Sequence, residues 1–245
     1  MSVAIVIPAR LRSTRLPRKL LLDLGGKSVL RRTFEQAMQS KRAESVVIAT
    51  DAAEIADAAG AFGARAILTR ADHQSGTERI AEAAEMIDAD IIVNIQGDEP
   101  EIDPAHIDAL IDAHRLAGRF VTTLACPFPV DIDPDYPSAV KAILGAGIDR
   151  ENTIFEAKDF TRKAPSGIAR SRLFLHIGAY AYSRRSLKQF VAAPRGKREQ
   201  AESLEQLRIV EMGESIAVRL VDGAARGIDT QHDLDMARRR LGGSA

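Results

Sequence analysis

Apolar runs at residues 3–7, 45–50, 64–69, 91–95 and 120–125 alternate with segments at 29–38, 53–62, 78–87 and 105–116, whose apolar residues recur at helical spacing. The runs are largely continuous, so both faces of each strand need cover. Strand–helix–strand alternation predicts parallel pairing, because each helix carries the chain back to the same end of the sheet. The handedness rule for such crossovers then leaves an α/β fold built on a Rossmann-like, doubly wound, mostly parallel sheet. With 245 residues, 45% of them hydrophobic, the chain is large enough to form one such domain over residues 1–245.

The pattern loosens after Leu124. A proline- and aspartate-rich stretch, "CPFPVDIDPDYPSA", reads as a loop leaving the sheet. "AVKAILGAGIDREN" reads as strand and turn, "RLFLHIGAYAYS" as a strand, and "ESLEQLRIVEMG" as a helix ending at Gly213. "SIAVRLV" is another strand, and "TQHDLDMARRRLGG" a closing helix with arginines in its last turn, where the helix dipole favours cations. Residues 127–200 are read as a region inserted into, or extended from, the domain.

Formal net charge is zero, which argues against a nucleic-acid or membrane-surface binder. No apolar run approaches the roughly 20 residues that span a bilayer. The N-terminus has no signal-peptide pattern. Cys126 is the single cysteine, so no internal disulfide forms, and the expected location is the cytoplasm.

Ligands of open α/β sheets sit beyond the carboxyl ends of the strands. Here those ends lead into "PAR", "TD", "TRADHQSGTE" and "QGDEP". After the first strand, Arg10, Arg15 and Lys19 crowd one loop with Ser13 and Thr14. Guanidinium groups meet phosphates with paired hydrogen bonds, so this loop is a candidate phosphate site. A solvated basic turn is the plain alternative, and Arg12 and Arg18 are read as surface. "GGKS" at residues 25–28 is not a P-loop, because Leu21 stands where its first glycine belongs. No GxGxxG follows the first strand either, so an NAD-type dehydrogenase is unsupported. Asp98 emerges after the fourth strand, where a hard divalent ion would find a carboxylate, and Gly97 would let the backbone approach a ligand. Asp229 in "GIDT" offers a second carboxylate, although Asp229 or Thr230 would serve equally as a helix cap. Asp51 with Glu54, Ser75 with Glu78, and Ser203 with Gln206 have capping-box spacing. His176, Gly178, Tyr180 and Tyr182 share one strand face at period two. His176 there is either structural or ligand-binding. His73 falls in a loop, and His106, His114 and His232 in helical surface patterns. No Cys/His spacing suggests zinc.

"IPARLRSTRLPRK", "TRADHQSGTER", "NIQGDEP", "HIGAYAY", "LEQLR" and "GIDT" occur in the order found in the 3-deoxy-manno-octulosonate (Kdo) cytidylyltransferases, and the chain resembles that family from Val3 to about Leu241. The resemblance implies a nucleotide-diphospho-sugar-transferase type of sheet, a homodimer, CTP and a sugar-acid substrate, and Mg²⁺ as cofactor. It implies that Arg10, Ser13, Arg15 and Lys19 hold the CTP phosphates. Arg70, Gln74, Ser75, Gly76, Thr77 and Gln96 would face the cytosine and ribose. Asp98 and Asp229 would bind the metal, and catalysis would fall to Arg10, Arg15, Lys19 and Asp98. Lys141, His176, Tyr180, Glu205 and Gln206 would line the acceptor pocket, with residues 127–200 as the acceptor and dimerisation region. Two segments depart from the family pattern. "LPRKLL" replaces "LPGKPL", and "TIFEAKDFTRK" replaces a Tyr-Phe-Ser-Arg segment, with Ala157 or Lys158 at the arginine position. Lys158, Arg162 and Lys163 are the candidate substitutes. The resemblance implies Kdo or a close analogue as acceptor, and the missing arginine, expected to meet the sugar carboxylate, opens others. An 8-amino analogue, a sialic-type acid or a phosphonate is the alternative.

Two other classes compete. A nucleotide-sugar glycosyltransferase would want a D-x-D pair after a strand, but "DAD" at 88–90 precedes its strand. A nucleotide-binding module without catalysis would release no pyrophosphate.

Overall fold

The computed structural model describes residues 1–136, 138–165 and 167–242. It divides into two compact units, one formed by Met1–Asp108 together with the chain from Ala225 onward, the other by Ala109–Ala224.

The first unit holds β1 (Val3–Ala9), α1 (Val29–Ala37), β2 (Ser45–Thr50), α2 (Ala53–Ala61), β3 (Arg65–Leu68), α3 (Gly76–Ala84) and β4 (Ile91–Asn94). Its strands run β3-β2-β1-β4, each pair parallel. Val3 to Ile7 and Ile91 to Val93 are buried throughout, as continuous apolar runs require. Parallel pairing puts the carboxyl ends on one edge, with Pro8 and Ala9 of β1 level with Ala49 and Thr50 of β2. Ser28 and Ser75 cap α1 and α3 by accepting from Arg31 N and Glu78 N, each at 3.2 Å. The expected Asp51–Glu54 box does not form. Asp51 instead pairs with Arg79 at 3.3 Å, and Glu54 pairs with Arg18. The N-cap of α2 is Ala52, so Asp51 stands one residue before the capping position.

Through α4 (Pro104–Ala117) the chain enters the second unit. It comprises β5 (Val121–Pro127), β6 (Lys141–Gly147), β7 (Ile154–Thr161), β8 (Phe174–Ser183), α5 (Arg184–Ala192), α6 (Lys197–Glu202), α7 (Gln206–Glu211) and β9 (Ile216–Leu220). α8 (Gln231–Gly242) closes the first unit. This second unit begins before and ends after the 127–200 region marked out by composition.

Pairing in the second unit is mixed. β5 is antiparallel to β8 and parallel to β9, β7 is antiparallel to β9 and β6, and β6 returns antiparallel to β8, closing the strands into a ring. Sequence reading missed β7 because Glu156, Lys158 and Asp159 break its apolar pattern. It also missed α5, which Ser183 caps by accepting from Ser186 N at 3.0 Å. The helix expected over 202–213 is two helices. Ser203 takes a left-handed φ of 52° and ends α6, so the expected pairing of Ser203 with Gln206 does not form. Within this unit Arg208 is buried, paired with Glu199 at 2.5 and 2.7 Å and lying 4.5 Å from the Phe190 ring centre.

His114 is not on the surface, as its helical pattern suggested, but 7% exposed, its Nδ1 3.0 Å from Thr122 Oγ1. Burial pushes its pKa down from 6.5 to about 4. The unfolded chain therefore binds more protons than the folded one across that interval, so stability is complete above pH 6.5 and is lost as pH falls toward 4. At about 1.4 kcal/mol per pH unit, this side chain contributes roughly 3 kcal/mol of acid destabilisation. His114→Gln is expected to flatten the fall in melting temperature between pH 6.5 and 4. Parallel pH–Tm curves for the two proteins would refute it.

Candidate functional site

Beyond Ala9 the first unit's chain forms a loop anchored by buried Leu16 and Leu20 and closed by a 3.3 Å hydrogen bond from Arg18 N to Leu11 O. Leu16 and Leu20 anchor the loop after Arg10, Arg12 and Arg15, whose side chains stay exposed, while Lys19 is 14% exposed. Arg10, Ser13, Arg15 and Lys19 line a cavity of about 580 Å³ together with Gln96, Asp98 and Asp229. Arg12 and Thr14 line it as well. Arg12 is exposed, as the surface reading expects, and nothing in its local spacing distinguishes it from Arg18, which turns away to Glu54.

Asp98 reaches the cavity because the turn after β4 presses on the end of β1. A Cβ on Gly97 would lie 3.0 Å from the Pro8 carbonyl oxygen and 3.3 Å from Leu20 Cδ1. Gly97 permits that backbone approach, and it also lines the cavity where the sequence reading expects a ligand. Thr33 of α1 holds the turn by donating its hydroxyl to Gly97 O at 2.9 Å.

Asp229 arrives by a separate route. Ile228 is fully buried and donates its N–H to Asp98 O at 2.9 Å. The cap of α8 is Thr230. Its Oγ1 accepts from Asp233 N at 3.2 Å, while Asp233 Oδ2 accepts from Thr230 N at 2.8 Å. That reciprocal box relieves Asp229 of capping and leaves its carboxylate to face the cavity.

The Lys19 ammonium lies between the two carboxylates, donating to Asp98 and, at 3.0 Å, to Asp229 Oδ1. Arg15 sits 2.9 Å from Asp229 Oδ2. Burial alone would lower the Lys19 pKa, but the charge of Asp98 and the hydrogen bonds to Asp98 and Asp229 outweigh it and raise it. Burial first, then the Asp98 and Asp229 charges, pushes Glu99 up to about 8. Glu99 is thus mostly protonated at neutral pH and adds little negative charge beside the pair. Its carboxyl lies where a Cβ on Gly227 would fall, with Oε1 2.8 Å from that position. Glu99 was absent from the sequence-based set.

Among the described residues no group of three or more His, Cys, Asp or Glu is arranged to hold a metal ion. Two carboxylates converging on one cation nevertheless suit Mg²⁺, which takes one or two protein carboxylates and fills the rest of its shell with water and phosphate oxygens.

The 70–77 segment adjoins this edge through Gly76, whose Cβ would meet Pro8 Cγ at 3.3 Å and Gln96 Oε1 at 3.9 Å. Gln96 donates Nε2 to Asn94 Oδ1 at 3.0 Å. Arg70, Gln74, Ser75 and Thr77 do not line the cavity. Arg70 pairs with Asp72 at 3.2 Å, and Gln74 Nε2 donates to Asp72 O at 2.9 Å. Ser75 is the α3 cap, and Thr77 is buried. His73 is held against Glu82.

The residues expected to meet the acceptor lie in the second unit. Lys141 is fully buried, and its ammonium donates to the carbonyls of Pro134 at 2.5 Å, Ala139 at 2.7 Å and Arg162. These take up all three of its protons. His176 Nε2 lies 3.0 Å from Thr123 Oγ1, and its ring stands edge-on to Phe160 at 5.1 Å and 5.6 Å from Tyr180. Burial holds His176 well below its ordinary pKa and, with the Glu205 charge, Tyr180 well above. Gln206 is buried at the first turn of α7. Arg162 donates to Glu202 O at 2.8 Å and Ser203 O at 3.2 Å, while Lys158 is exposed.

The cytidylyltransferase family profile matches residues 4–216. The 3-deoxy-manno-octulosonate cytidylyltransferase of Rhodopirellula baltica is 44% identical over 244 residues, covering 95% of this chain and 96% of that protein. The protein of the same name from Chlorobium limicola is 42% identical, covering 100% and 99%. A solved structure of CMP:2-keto-3-deoxy-manno-octonic acid synthetase complexed with CTP superposes with a TM-score of 0.91 at 36% identity, covering 100% of both chains.

Proposed function

The chain belongs to the cytidylyltransferase family, and from that premise we propose that it transfers the cytidylyl group of CTP to the anomeric hydroxyl of 3-deoxy-manno-octulosonate, releasing pyrophosphate. The observation that carries this reading is the Asp98–Lys19–Asp229 cluster, set in the same cavity as Arg10 and Arg15.

In the proposed reaction the sugar hydroxyl oxygen forms a bond to the α-phosphorus as the bond to the β-phosphate oxygen breaks, and the hydroxyl proton is released to solvent. Catalysis of this kind rests on positioning and on neutralising charge as it moves to the leaving oxygens, so no protein nucleophile is needed. Arg10, Arg15 and Lys19 bind the phosphates and receive the charge of pyrophosphate, with Ser13 adding a hydroxyl donor. Gln96, which lines the cavity, and the adjoining segment of Arg70, Gln74, Ser75, Gly76 and Thr77, which does not, are assigned to the cytosine and ribose. Asp98 and Asp229 would hold Mg²⁺, which when bound supplies Lewis-acid polarisation of phosphate oxygens. His176, Tyr180, Glu205 and Gln206 are assigned to the sugar acid. Lys141, also expected at the acceptor, has its protons on the carbonyls of Pro134, Ala139 and Arg162 and is assigned to holding that backbone instead. The finer fold reading, a Rossmann-like doubly wound sheet, is supported by the β3-β2-β1-β4 order in the first unit. A homodimer formed through residues 127–200 and a cytoplasmic location complete the reading.

The test is a pyrophosphate-release screen. CTP and the other triphosphates are offered with Kdo, its 8-amino analogue, sialic acid and a small phosphonate. Release is expected with CTP and Kdo. Release with CTP and another acid moves the acceptor assignment to that acid. Release with no acid leaves a nucleotide-binding module.

A further inference from the structure

The ammonium of Lys19 is asked to do two things that exclude each other. It donates to Asp98 and Asp229, and its part in phosphate binding requires the same protons to face a triphosphate. The two carboxylates it holds are also the oxygen donors assigned to the divalent cation. We infer that Lys19 is an internal competitor for that cation: it clamps Asp98 and Asp229 until a triphosphate draws its ammonium away, so that nucleotide and divalent cation bind cooperatively. The inference rests on the function proposed above and adds to it an order of events inside the site.

Charge and burial give the clamp its strength. Two carboxylates carry two negative charges, and Lys19 with Arg15 returns two positive ones, so an incoming cation meets a nearly neutral group. The two competitors are unequal. The Arg15 side chain is 56% exposed, and its ion pair is screened by solvent. Lys19 is 14% exposed, where charges interact through a lower effective dielectric. A divalent cation arriving alone must therefore displace an ammonium from both carboxylates. A triphosphate shifts that balance by giving the ammonium other anionic oxygens. Leu20 is buried and Leu22 N donates to Lys19 O at 3.2 Å, so the backbone stays anchored and side-chain rotation suffices for the transfer. Linkage makes the effect reciprocal, since a cation on the carboxylates releases Lys19 toward phosphate and tightens nucleotide by the same factor.

Mn²⁺ is a suitable probe because it prefers the same oxygen ligands as Mg²⁺ and is visible by electron paramagnetic resonance. It is titrated into nucleotide-free wild type and Lys19→Met, then again with CTP after correcting for Mn–CTP formed in buffer. Lys19→Met is expected to bind Mn²⁺ alone about tenfold or more tightly than wild type, within the ~5–150-fold range usual for coupling between sites. CTP adds phosphate ligands in both proteins, so it should tighten Mn²⁺ in both but by a larger factor in wild type, where it also removes the competing ammonium. The melting temperature of Lys19→Met should gain more from Mn²⁺ than that of wild type. Lys19→Arg keeps the competing charge and should stay weak without nucleotide. Lys19→Gln replaces Lys19→Met if the latter does not fold. Equal or weaker Mn²⁺ binding by the uncharged variant overturns the inference, as does an equal CTP effect in both proteins. Should either occur while wild type still releases pyrophosphate from CTP, the clamp fails and the function stands. Loss of CTP binding by wild type sinks the function, and the nucleotide-free titration still decides the competition.

Discussion

Asp98→Asn is expected to lower pyrophosphate release by on the order of 10²–10³-fold while the protein stays folded. The amide keeps the shape of the carboxylate but removes its charge, the property needed beside Lys19 and for a hard cation. The fold has little at stake in that charge. Lys19 keeps Asp229 at 3.0 Å, Ile228 N still finds the Asp98 backbone carbonyl, and Gly97 O keeps its bond from Thr33. A stability loss of about 1 kcal/mol, or ~2–4 °C in Tm, is the expected scale. Steady-state turnover and a thermal melt on the same preparation separate the two effects. Near-normal turnover by a folded Asp98→Asn enzyme would remove Asp98 from the reaction.

Gly97→Val should damage both stability and turnover. Its first added carbon would lie 3.0 Å from a backbone oxygen, that of Pro8, and 3.3–3.4 Å from both methyl carbons of Leu20. Backbone cannot step aside as a flexible side chain does, and overpacking of this kind costs about 1–3 kcal/mol. The turn that moves carries Asp98 and Gln96, and a displacement near 1 Å at a reacting centre costs about 10²-fold in rate. Gly60→Ala is the control. Nothing lies within 4 Å of its added Cβ, and in the helix α2 it should be neutral or gain up to ~1 kcal/mol. Normal activity in Gly97→Val would mean that the close approach to Pro8 does not position Asp98.

Much of the first unit was legible because its signals are local. The β2 boundaries agree with those expected, and β1 and β4 differ by one or two residues, since an unbroken apolar run between turn residues leaves few other readings. Ser75 capped as its spacing predicted. Capping signals failed where the helix began or ended elsewhere: α2 is capped at Ala52, one residue after Asp51, and Ser203 ends α6 before Gln206. Asp51 and Glu54 pair instead with Arg79 and Arg18, partners that no spacing rule includes. β7 was hidden because its polar residues fit a strand that pairs on both sides but is not buried on both faces. His114 looks like a surface residue in sequence, and the resemblance gives Lys141 to the acceptor pocket, yet both are buried. Thr122 Oγ1 in one case and three carbonyls in the other make their burial tolerable.

Periodicity and composition determined that this chain makes an α/β sheet, that its strand ends carry a cationic loop and an acidic turn, and that Asp229 stands before a helix. Those properties depend on neighbours a few residues apart, which a linear reading contains. Tertiary structure alone decided that Lys19 meets Asp229 across 210 positions of sequence, that Thr230 and not Asp229 caps α8, and that Arg12 faces the cavity while Arg18 leaves it. An ion pair's strength depends on distance and desolvation, and both exist only after the chain has brought its distant parts together.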